Sequence, residues 1–438
     1  MATTGTATGA CPVHAGFDPF APRYLADPYP ELARLPAAFH ATELGMWVLT
    51  RYADIDAVFR DPLTFSAAIV QDPIFPLSEA ARTELGPNFP LPKTMSNANP
   101  PVHTRIRRFN LQAFSARRTA VLEPMVRAAA EQLIDQLPGG EPFDLVAGLS
   151  YPLPAVMIFT LIGFPAEDTE LLKSWCGNRM AFSWGHPTPA EQLDIAGNMR
   201  RYWDYCAQFV QTRIGEPRDD FTSDLARIHR EDPEQLSELE ITSVVYGLSF
   251  AGHETTTNLT SNAVRRLLEN REQWDALCGD PSLIPNAVEE VLRFDTSVIS
   301  WRRVTTKPVH IGGVDIPAGA KVLLLLGGTG RDAARFADPE RFDMRREDAG
   351  RHLAFGKGVH FCLGAPLARM EARIVLELLT AAAPDLELVP DQCFDFPANV
   401  SFRGPQQLWL RRAPGSVDDP LRMRMQSKAV RPHPEESR

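Results

Sequence analysis

The chain has 438 residues, of which 44% are hydrophobic and 23% charged, an ordinary composition for a globular protein. A formal net charge of −10 and a pI near 5.6 argue against a nucleic-acid binder, because phosphate contacts need a basic surface. No apolar stretch is long enough to span a bilayer, no signal peptide is readable, and the six cysteines show no pairing pattern, so we expect a cytoplasmic protein with reduced thiols and no membrane partner.

Helical periodicity dominates the chain, and predicted strands are few. "GMWVLTRY" (45–52) predicts a strand, and apolar residues three and four apart predict helices at 102–114, 120–137, 191–214 and 284–294. The longest helix is expected to begin at "SELE", where Ser237 and Glu240 form a capping box, and to end near Asn270. "PVHIGGVDIPAGAKVLLLL" (308–326) predicts a hairpin punctuated by glycines and a proline.

No repeat or linker divides the body of the sequence. We therefore expect one large, mainly helical domain with small β-sheets over residues 17–410. Residues 1–16 are expected to be a flexible segment, and the polar, proline-containing residues 411–438 a flexible tail or linker.

The strongest motif is "FGKGVHFCLG", which spans Phe355 to Gly364. Its glycines permit backbone conformations and close approaches that a Cβ would forbid. Cys362 lies at the start of a predicted helix, where unpaired N–H groups and the helix dipole should lower the thiol pKa. A thiolate on such a loop is suited to bind the metal of a flat macrocycle, whereas the other five cysteines are assigned to structural or surface positions.

A second motif, "AGHETTTN" (251–258), lies midway along the longest predicted helix. Gly252 leaves space above a flat ligand, and the Thr255 hydroxyl can bond back to a carbonyl one turn earlier and locally open the helix. Glu254 beside it offers a titratable carboxylate, and an acid with an alcohol can relay protons. A zinc-binding H-E-x-x-H reading of His253 fails because the fifth position is Thr257.

Taken one at a time, the other charged residues do not identify a functional site. His103 and Arg107 share one helix face, while Glu290 and Arg293 are an i, i+3 pair of the kind usually found as a surface salt bridge. The turn at 328–333 has G-x-G-x-x-A spacing after an apolar strand and resembles a dinucleotide-binding turn. That reading fails because Pro339 arrives before a full helix can form.

Taken together and in this order, the motifs resemble the cytochrome P-450 family of haem-thiolate monooxygenases, over about Phe17 to Leu410. "SFRGP", "PSLIPNAVEE" and "WRRV" are closest in look to haem domains of the bacterial self-sufficient class, which carry a fused reductase. The resemblance implies that haem b lies between the long helix and the Cys362 loop. Glu290 and Arg293 would be structural, with Arg346 as a third partner, and "GRD" stands at 330–332 where the family often has "NRD".

The resemblance also implies a role for each site residue. Cys362 would be the axial iron ligand, and Glu254 and Thr255 the catalytic acid–alcohol pair. The residues expected to bind the cofactor are His103, Arg107, Ala251, Gly252, Arg303, Phe355, Gly356, His360, Cys362 and Gly364, with His103, Arg107, Arg303 and His360 serving the propionates.

The implied reaction is insertion of one oxygen atom of O₂ into an organic substrate, as a hydroxylation or O-dealkylation. Five segments should line the distal pocket, namely 65–91, 179–187, 246–252, 297–300 and 399–402, and their composition favours a small, neutral, apolar or aromatic substrate over a carboxylate. Electrons are expected from a separate ferredoxin- or flavodoxin-type donor and its reductase, steered to a basic patch of Lys357, Arg108, Arg117 and Arg118. A peroxide-driven peroxygenase and a non-catalytic haem-binding or sensor protein remain as alternatives, both disfavoured by the presence of Glu254 and Thr255.

Overall fold

The computed structural model describes residues 16–413 except 88, 90, 115 and 178, and gives no side chains for 113 and 116–119. Helices make up most of this region. They are α1 (Pro22–Ala26), α2 (Tyr29–Leu32), α3 (Tyr52–Arg60), α4 (Glu79–Leu85), α5 (Val102–Ala113), α6 (Ala116–Asp135), α7 (Pro152–Ile162), α8 (Thr169–Cys176), α9 (Arg179–Trp184), α10 (Pro189–Gly215), α11 (Phe221–Glu231), α12 (Glu238–Glu269), α13 (Arg271–Gly279), α14 (Ile284–Phe294), α15 (Leu326–Thr329) and α16 (Ala365–Ala382).

The strands form small sheets beside the helices. They are β1 (Ala38–Ala41), β2 (Met46–Leu49), β3 (Phe65–Ser66), β4 (Phe143–Asp144), β5 (Trp301–Thr305), β6 (Val309–Ile311), β7 (Val314–Ile316), β8 (Lys321–Leu324), β9 (Leu386–Leu388) and β10 (Trp409–Arg412). The largest sheet has the order β1-β2-β8-β5-β3, in which only β2 and β8 run parallel. A second sheet has the antiparallel order β4-β10-β9, and β6 and β7 form a hairpin.

The long central helix α12 organises the packing. It begins as predicted, because the Ser237 side chain accepts from the Glu240 N–H while the Glu240 carboxylate accepts from the Ser237 N–H. It ends at Glu269, with Asn270 as its C-cap. It packs against α7, α10, α14 and α16. Because it is surrounded by other helices, its residues are buried on several faces.

Two expectations about chain segments need correction. Residues 308–326 form a hairpin only as far as Ile316, since Lys321–Leu324 is a separate strand between β2 and β5 of the largest sheet. The tail was expected to begin at residue 411, which is too early. Arg411 and Arg412 belong to β10 and pair with Glu387 and Leu386 of β9. Backbone pairing thus extends the fold beyond Leu410, while residues 1–15 and 414–438 lie outside the described residues.

Glu290 and Arg293 form a buried pair rather than a surface one. Both side chains have 0% exposure, and the Arg293 Nε lies 2.6 Å from a Glu290 carboxylate oxygen. Arg346 Nε lies 3.4 Å from the same carboxylate, as expected from the resemblance. Arg293 also donates to the carbonyl of Gly330, and a Cβ at Gly330 would lie 1.8 Å from the Arg293 carbonyl oxygen. This close backbone approach explains why glycine stands at position 330.

No helix of the described region is long and apolar enough to cross a membrane. The cysteines of that region, Cys176, Cys206, Cys278, Cys362 and Cys393, are all free thiols. Cys11 lies outside it.

Candidate active site

A cavity of about 310 Å³ lies between α12 and the loop that precedes α16. Ala251, Gly252 and Thr255 line it from α12, and Phe355 and Cys362 line it from the loop. The two motifs, at 251–258 and 355–364 in the sequence, therefore meet across one cavity. All five segments expected to form the distal pocket contribute lining residues, so this expectation is confirmed.

The conformation of the Cys362 loop depends on its glycines. Gly356 and Gly358 have φ of 65° and 67°, in the left-handed region that side chains disfavour. A Cβ at Gly358 would also lie 2.4 Å from the Phe59 carbonyl oxygen of α3. Gly364 borders the cavity, and the position of its missing Cβ is open space. The loop closes through the Cys362 N–H, which donates to the Phe355 carbonyl at 2.9 Å.

The thiol of Cys362 experiences opposing influences. The N–H groups of Gly364 and Ala365 at the start of α16 and the positive charge of Arg107 act to lower its pKa, as predicted. Burial has the largest effect, however, and the net result is that the pKa of Cys362 is raised above its ordinary value. The predicted net direction was wrong because desolvation outweighs the helix start. A bound metal cation would favour the thiolate at this position.

One edge of the cavity is basic. Arg107, Arg303 and His360 line it. His103 does not line it but packs against His360, with ring centroids 4.1 Å apart and ring planes inclined by 50°. Burial and neighbouring charges lower the pKa of His103 to about 4 and that of His360 to about 3, so both rings are neutral at pH 7. Burial lowers the pKa of Arg303 to about 10, which leaves its guanidinium charged.

Several polar atoms at this edge have no partner within the protein. Both ring nitrogens of His103 and the Nε2 of His360 are buried without a hydrogen bond. Arg303 donates to the Arg302 carbonyl at 2.8 Å and Arg107 to the Phe361 carbonyl at 2.5 Å, with no carboxylate partner for either among the described residues. Two charged guanidinium groups match the two propionates of haem b, so the residues present fit this cofactor. No group of three or more His, Cys, Asp or Glu in the described part of the chain offers a different metal site.

On α12, the structure contains the hydrogen bond predicted for Thr255 but gives a different reason for the glycine at position 252. The Thr255 hydroxyl donates to the Ala251 carbonyl at 2.9 Å, the predicted back-bond, although the helix continues through this turn without interruption. Gly252 borders the cavity, but its missing side chain makes room for a neighbouring helix rather than for a flat ligand as expected. A Cβ there would lie 2.6 Å from the side chain of Ile158, so glycine is needed for the close packing of α12 on α7.

Glu254, the predicted acid on α12, has a strongly perturbed pKa. It does not line the cavity. Its carboxylate lies 3.7 Å from Nε2 of the adjacent His253 on α12, and its charge acts on Tyr151 and Cys176. Burial raises the pKa of Glu254 to about 7, which allows the carboxyl group to exchange protons at neutral pH. Thr255 alone of the predicted pair borders the cavity directly.

The sequence analysis missed one charged residue of the cavity. Arg179, at the start of α9, lines the cavity with 7% of its surface exposed. It belongs to a segment that was expected to form the pocket, but nothing in the sequence separates it from a solvated arginine. Its position depends on tertiary packing against α12, where its guanidinium carbon lies 4.4 Å from the Tyr246 ring centroid and 5.1 Å from that of Phe250.

The expected basic patch for an electron donor is weaker than the sequence suggested. Lys357 pairs with Asp56 at 3.6 Å, and Arg108 lies over the Phe109 ring and donates to Gln235. The side chains of Arg117 and Arg118 lie outside the described residues. On the loop itself the exposed side chains are instead apolar, namely Val359 and Phe361.

Comparison with known proteins agrees with this geometry. The family model of cytochrome P-450 matches residues 57–278 and 282–380, and the chain belongs to that family. It is 37% identical over 378 residues to cytochrome P-450 107B1 of Saccharopolyspora erythraea, covering 84% of this chain and 89% of the relative. It is 36% identical to the cytochrome P-450 monooxygenase PikC of Streptomyces venezuelae, covering 94% of this chain and 97% of the relative.

Solved structures show the same fold. Cytochrome P-450 CREJ, solved in complex with (4-ethylphenyl) dihydrogen phosphate, is 39% identical with a TM-score of 0.87, and the match covers 91% of this chain and 99% of that one. An intact type IV self-sufficient cytochrome P-450 monooxygenase is 36% identical with a TM-score of 0.90, covering 99% of this chain and 57% of that one. The expected fold, the likeness to the self-sufficient group, haem b as cofactor and membership of the P-450 monooxygenases are thereby confirmed.

Proposed function

We propose that this monooxygenase inserts one oxygen atom of O₂ into the apolar or aromatic part of a small organic substrate, with Cys362 as the thiolate ligand of the haem iron. The observation that carries the proposal is the cavity itself, in which the Cys362 loop faces the Ala251–Thr256 turn of α12. Thiolate-ligated haem, when bound, supplies the reductive activation of O₂. The chain's own residues hold the cofactor, position the substrate and move protons.

The cofactor would be held at its edge and on both faces. Arg107 and Arg303 supply the two positive charges for the propionates, and the unpartnered Nε2 of His360 supplies a further polar contact, with His103 supporting that ring from behind. Phe355, Gly356 and Gly364 form the surface on the Cys362 side, and Ala251 and Gly252 the surface on the α12 side. The part of the cavity that these residues do not line is left for the substrate.

Proton movement is assigned to Thr255 and Glu254. The Thr255 hydroxyl borders the cavity, where it could donate a proton to a ligand once it releases the Ala251 carbonyl, and accept a replacement proton. Glu254 has a pKa of about 7, so a substantial fraction of the carboxyl group holds a proton at neutral pH. Because the Glu254 side chain does not line the cavity, the transfer between the two residues requires a water molecule or a side-chain rotation.

Electrons are proposed to come from a ferredoxin- or flavodoxin-type donor with its reductase. The G-x-G-x-x-A turn does not support a nicotinamide site here, because the helix that follows Leu325 has only four residues and Gly330 is packed against Arg293. The exposed Val359 and Phe361, next to Cys362, form an apolar contact surface that a protein partner would cover. Product formation should therefore require added donor and reductase as well as NADPH, and turnover with NADPH alone would contradict this part.

The absorption spectrum of the reduced protein with CO tests the central assignment. A red-shifted band characteristic of thiolate ligation should be present in the wild type and lost in Cys362→Ala. Cys278→Ala is the matched control, since Cys278 lies on α13 away from the cavity and should leave the band unchanged. A band that survives in Cys362→Ala would contradict the proposal.

A further inference from the structure

Arg179 occupies an unusual position in the active-site cavity. It is 7% exposed, and its guanidinium lies over the rings of Tyr246 and Phe250 on α12. Its Nη2 donates to the side-chain carbonyl of Gln71 at 3.2 Å, whereas its Nη1 is buried without any hydrogen-bond partner. A buried, unsatisfied donor on a charged group is costly unless a ligand supplies the missing acceptor.

The groups that surround the Arg179 guanidinium carry no negative charge. The Gln71 amide is itself held in place, since its Nε2 donates to Ser96 at 2.6 Å, and its oxygen is therefore directed at the arginine. The titratable groups nearest to the guanidinium are Tyr246, Cys176 and Cys206. Burial raises the pKa of Tyr246 and of Cys176 to about 12 and that of Cys206 well above its ordinary value, so none of them carries a compensating negative charge at pH 7.

The charges of the whole cavity lining also indicate that Arg179 has no counterion. The lining contains three arginines, Arg107, Arg179 and Arg303, and no aspartate or glutamate. The two propionates of haem b account for Arg107 and Arg303 at the edge near Cys362. Asp72 is adjacent to Gln71 in the sequence, but its charge acts on Arg302, which does not line the cavity. One positive charge, that of Arg179, is left without a counterion among the described residues.

We infer that Arg179 binds an anionic group of the substrate, a carboxylate or a phosphate monoester, at the end of the cavity away from the site of oxidation. The inference rests on the proposed function and refines its substrate: the oxidised part is apolar or aromatic, but the molecule as a whole is an anion rather than neutral. A guanidinium suits both groups, because its N–H donors match two oxygens of either one.

The place where Arg179 of α9 contacts α12 sets the length of such a substrate. Tyr246 and Phe250 precede Thr255 by nine and five residues, which corresponds to roughly 8 to 14 Å along a helix axis. An aromatic ring with an anion at one end and a short alkyl chain at the other spans about the lower value. The lining also includes Leu248, Val298 and Phe402, which suit a ring rather than a charged group.

Equilibrium dialysis with matched probes tests the inference without requiring turnover. The probes are 4-propylbenzoate, 4-propylphenyl phosphate and the neutral isostere 4-propylbenzamide, used with the haem-containing protein. The wild type should bind at least one of the anions more tightly than the amide, and the comparison of benzoate with phosphate shows which group the site prefers. Equal binding of all three probes by the wild type would overturn the inference, whatever the behaviour of the variants.

Two variants separate ligand recognition from structural support. Arg179→Gln should raise the Kd of the preferred anion roughly tenfold to hundredfold and that of the amide by less than about threefold, because only the anion loses a charge-assisted hydrogen bond. The control Arg201→Gln removes a positive charge from the surface of α10, where Arg201 contacts Asn198, and should change neither Kd. An equal loss for anion and amide in Arg179→Gln would assign the residue a structural role and overturn the inference.

Salt dependence gives an independent readout. A buried contact should keep its preference for the anion between about 0.05 M and about 0.5 M NaCl, whereas attraction by surface charges would largely disappear. Loss of the preference at high salt would therefore contradict binding at Arg179. Because dialysis measures binding alone, failure of the oxidation or of the proton relay would leave these results interpretable.

Discussion

Replacing Glu290 by Gln tests the buried pair that connects α14 to the segment leading into the Cys362 loop. Glu290 accepts from Arg293 Nε at 2.6 Å, from Arg293 Nη2 at 2.7 Å and from the Asp343 N–H at 2.8 Å. Arg293 in turn donates to the carbonyls of Pro339 and Arg341. The substitution keeps the volume and one acceptor but leaves the Arg293 charge buried without its counterion.

The size of the effect follows from burial. Breaking a fully buried ion pair by removing one partner costs about 3 to 5 kcal/mol. An unfolding entropy of about 2.1 cal/mol/K per residue over the 438 residues gives about 0.9 kcal/mol/K. The midpoint of thermal unfolding should therefore fall by about 3 to 5 °C.

Circular dichroism of the haem-containing protein, heated at one fixed rate, measures this shift. The control is Asp275→Asn, which breaks the i, i+4 pair with Arg271, where the side chains are 43% and 57% exposed. Such surface pairs contribute about 0 to 1 kcal/mol, so the control should shift the midpoint by no more than about 1 °C. If Glu290→Gln unfolds within about 1 °C of the control, the argument from burial is refuted.

Three further predictions concern the cavity and its surroundings. Thr255→Ala should release more peroxide per NADPH consumed while keeping the CO band, whereas an unchanged ratio would remove Thr255 from the proton relay. Arg107→Ala should speed the transfer of haem to apomyoglobin because one propionate loses its counterion, and Arg107→Lys should restore part of the retention. Burial raises the pKa of Glu371 from 4.5 to about 8, so the folded state holds the proton more tightly and stability falls as pH rises through that window. Glu371→Gln should thus match the wild type near pH 4 and be more stable by about 5 kcal/mol above pH 8, as measured by urea unfolding, and a constant difference across pH would contradict this.

Features that depend on neighbours in the sequence were predictable from it. The capping box of Ser237 and Glu240 sets the start of α12 because both partners lie within one turn. The back-bond of Thr255 to Ala251 is equally local. The positive φ of Gly356 and Gly358 follows from residue type, so the shape of the loop around Cys362 could be anticipated, and the order of the motifs was enough to indicate the family.

Other features depend on contacts between distant segments, and only the tertiary structure decided them. Strand β8 joins β2 and β5 instead of completing a hairpin, because pairing partners are chosen by the packing of the whole sheet. The pKa of Cys362 is raised because desolvation, which no local pattern reveals, exceeds the effect of the helix start. Gly252 is required by Ile158 of another helix, and the charge of Arg179 becomes informative only when α9 buries it against α12. Burial and long-range proximity arise from packing, so they determine the electrostatics of this site while local sequence determines its elements.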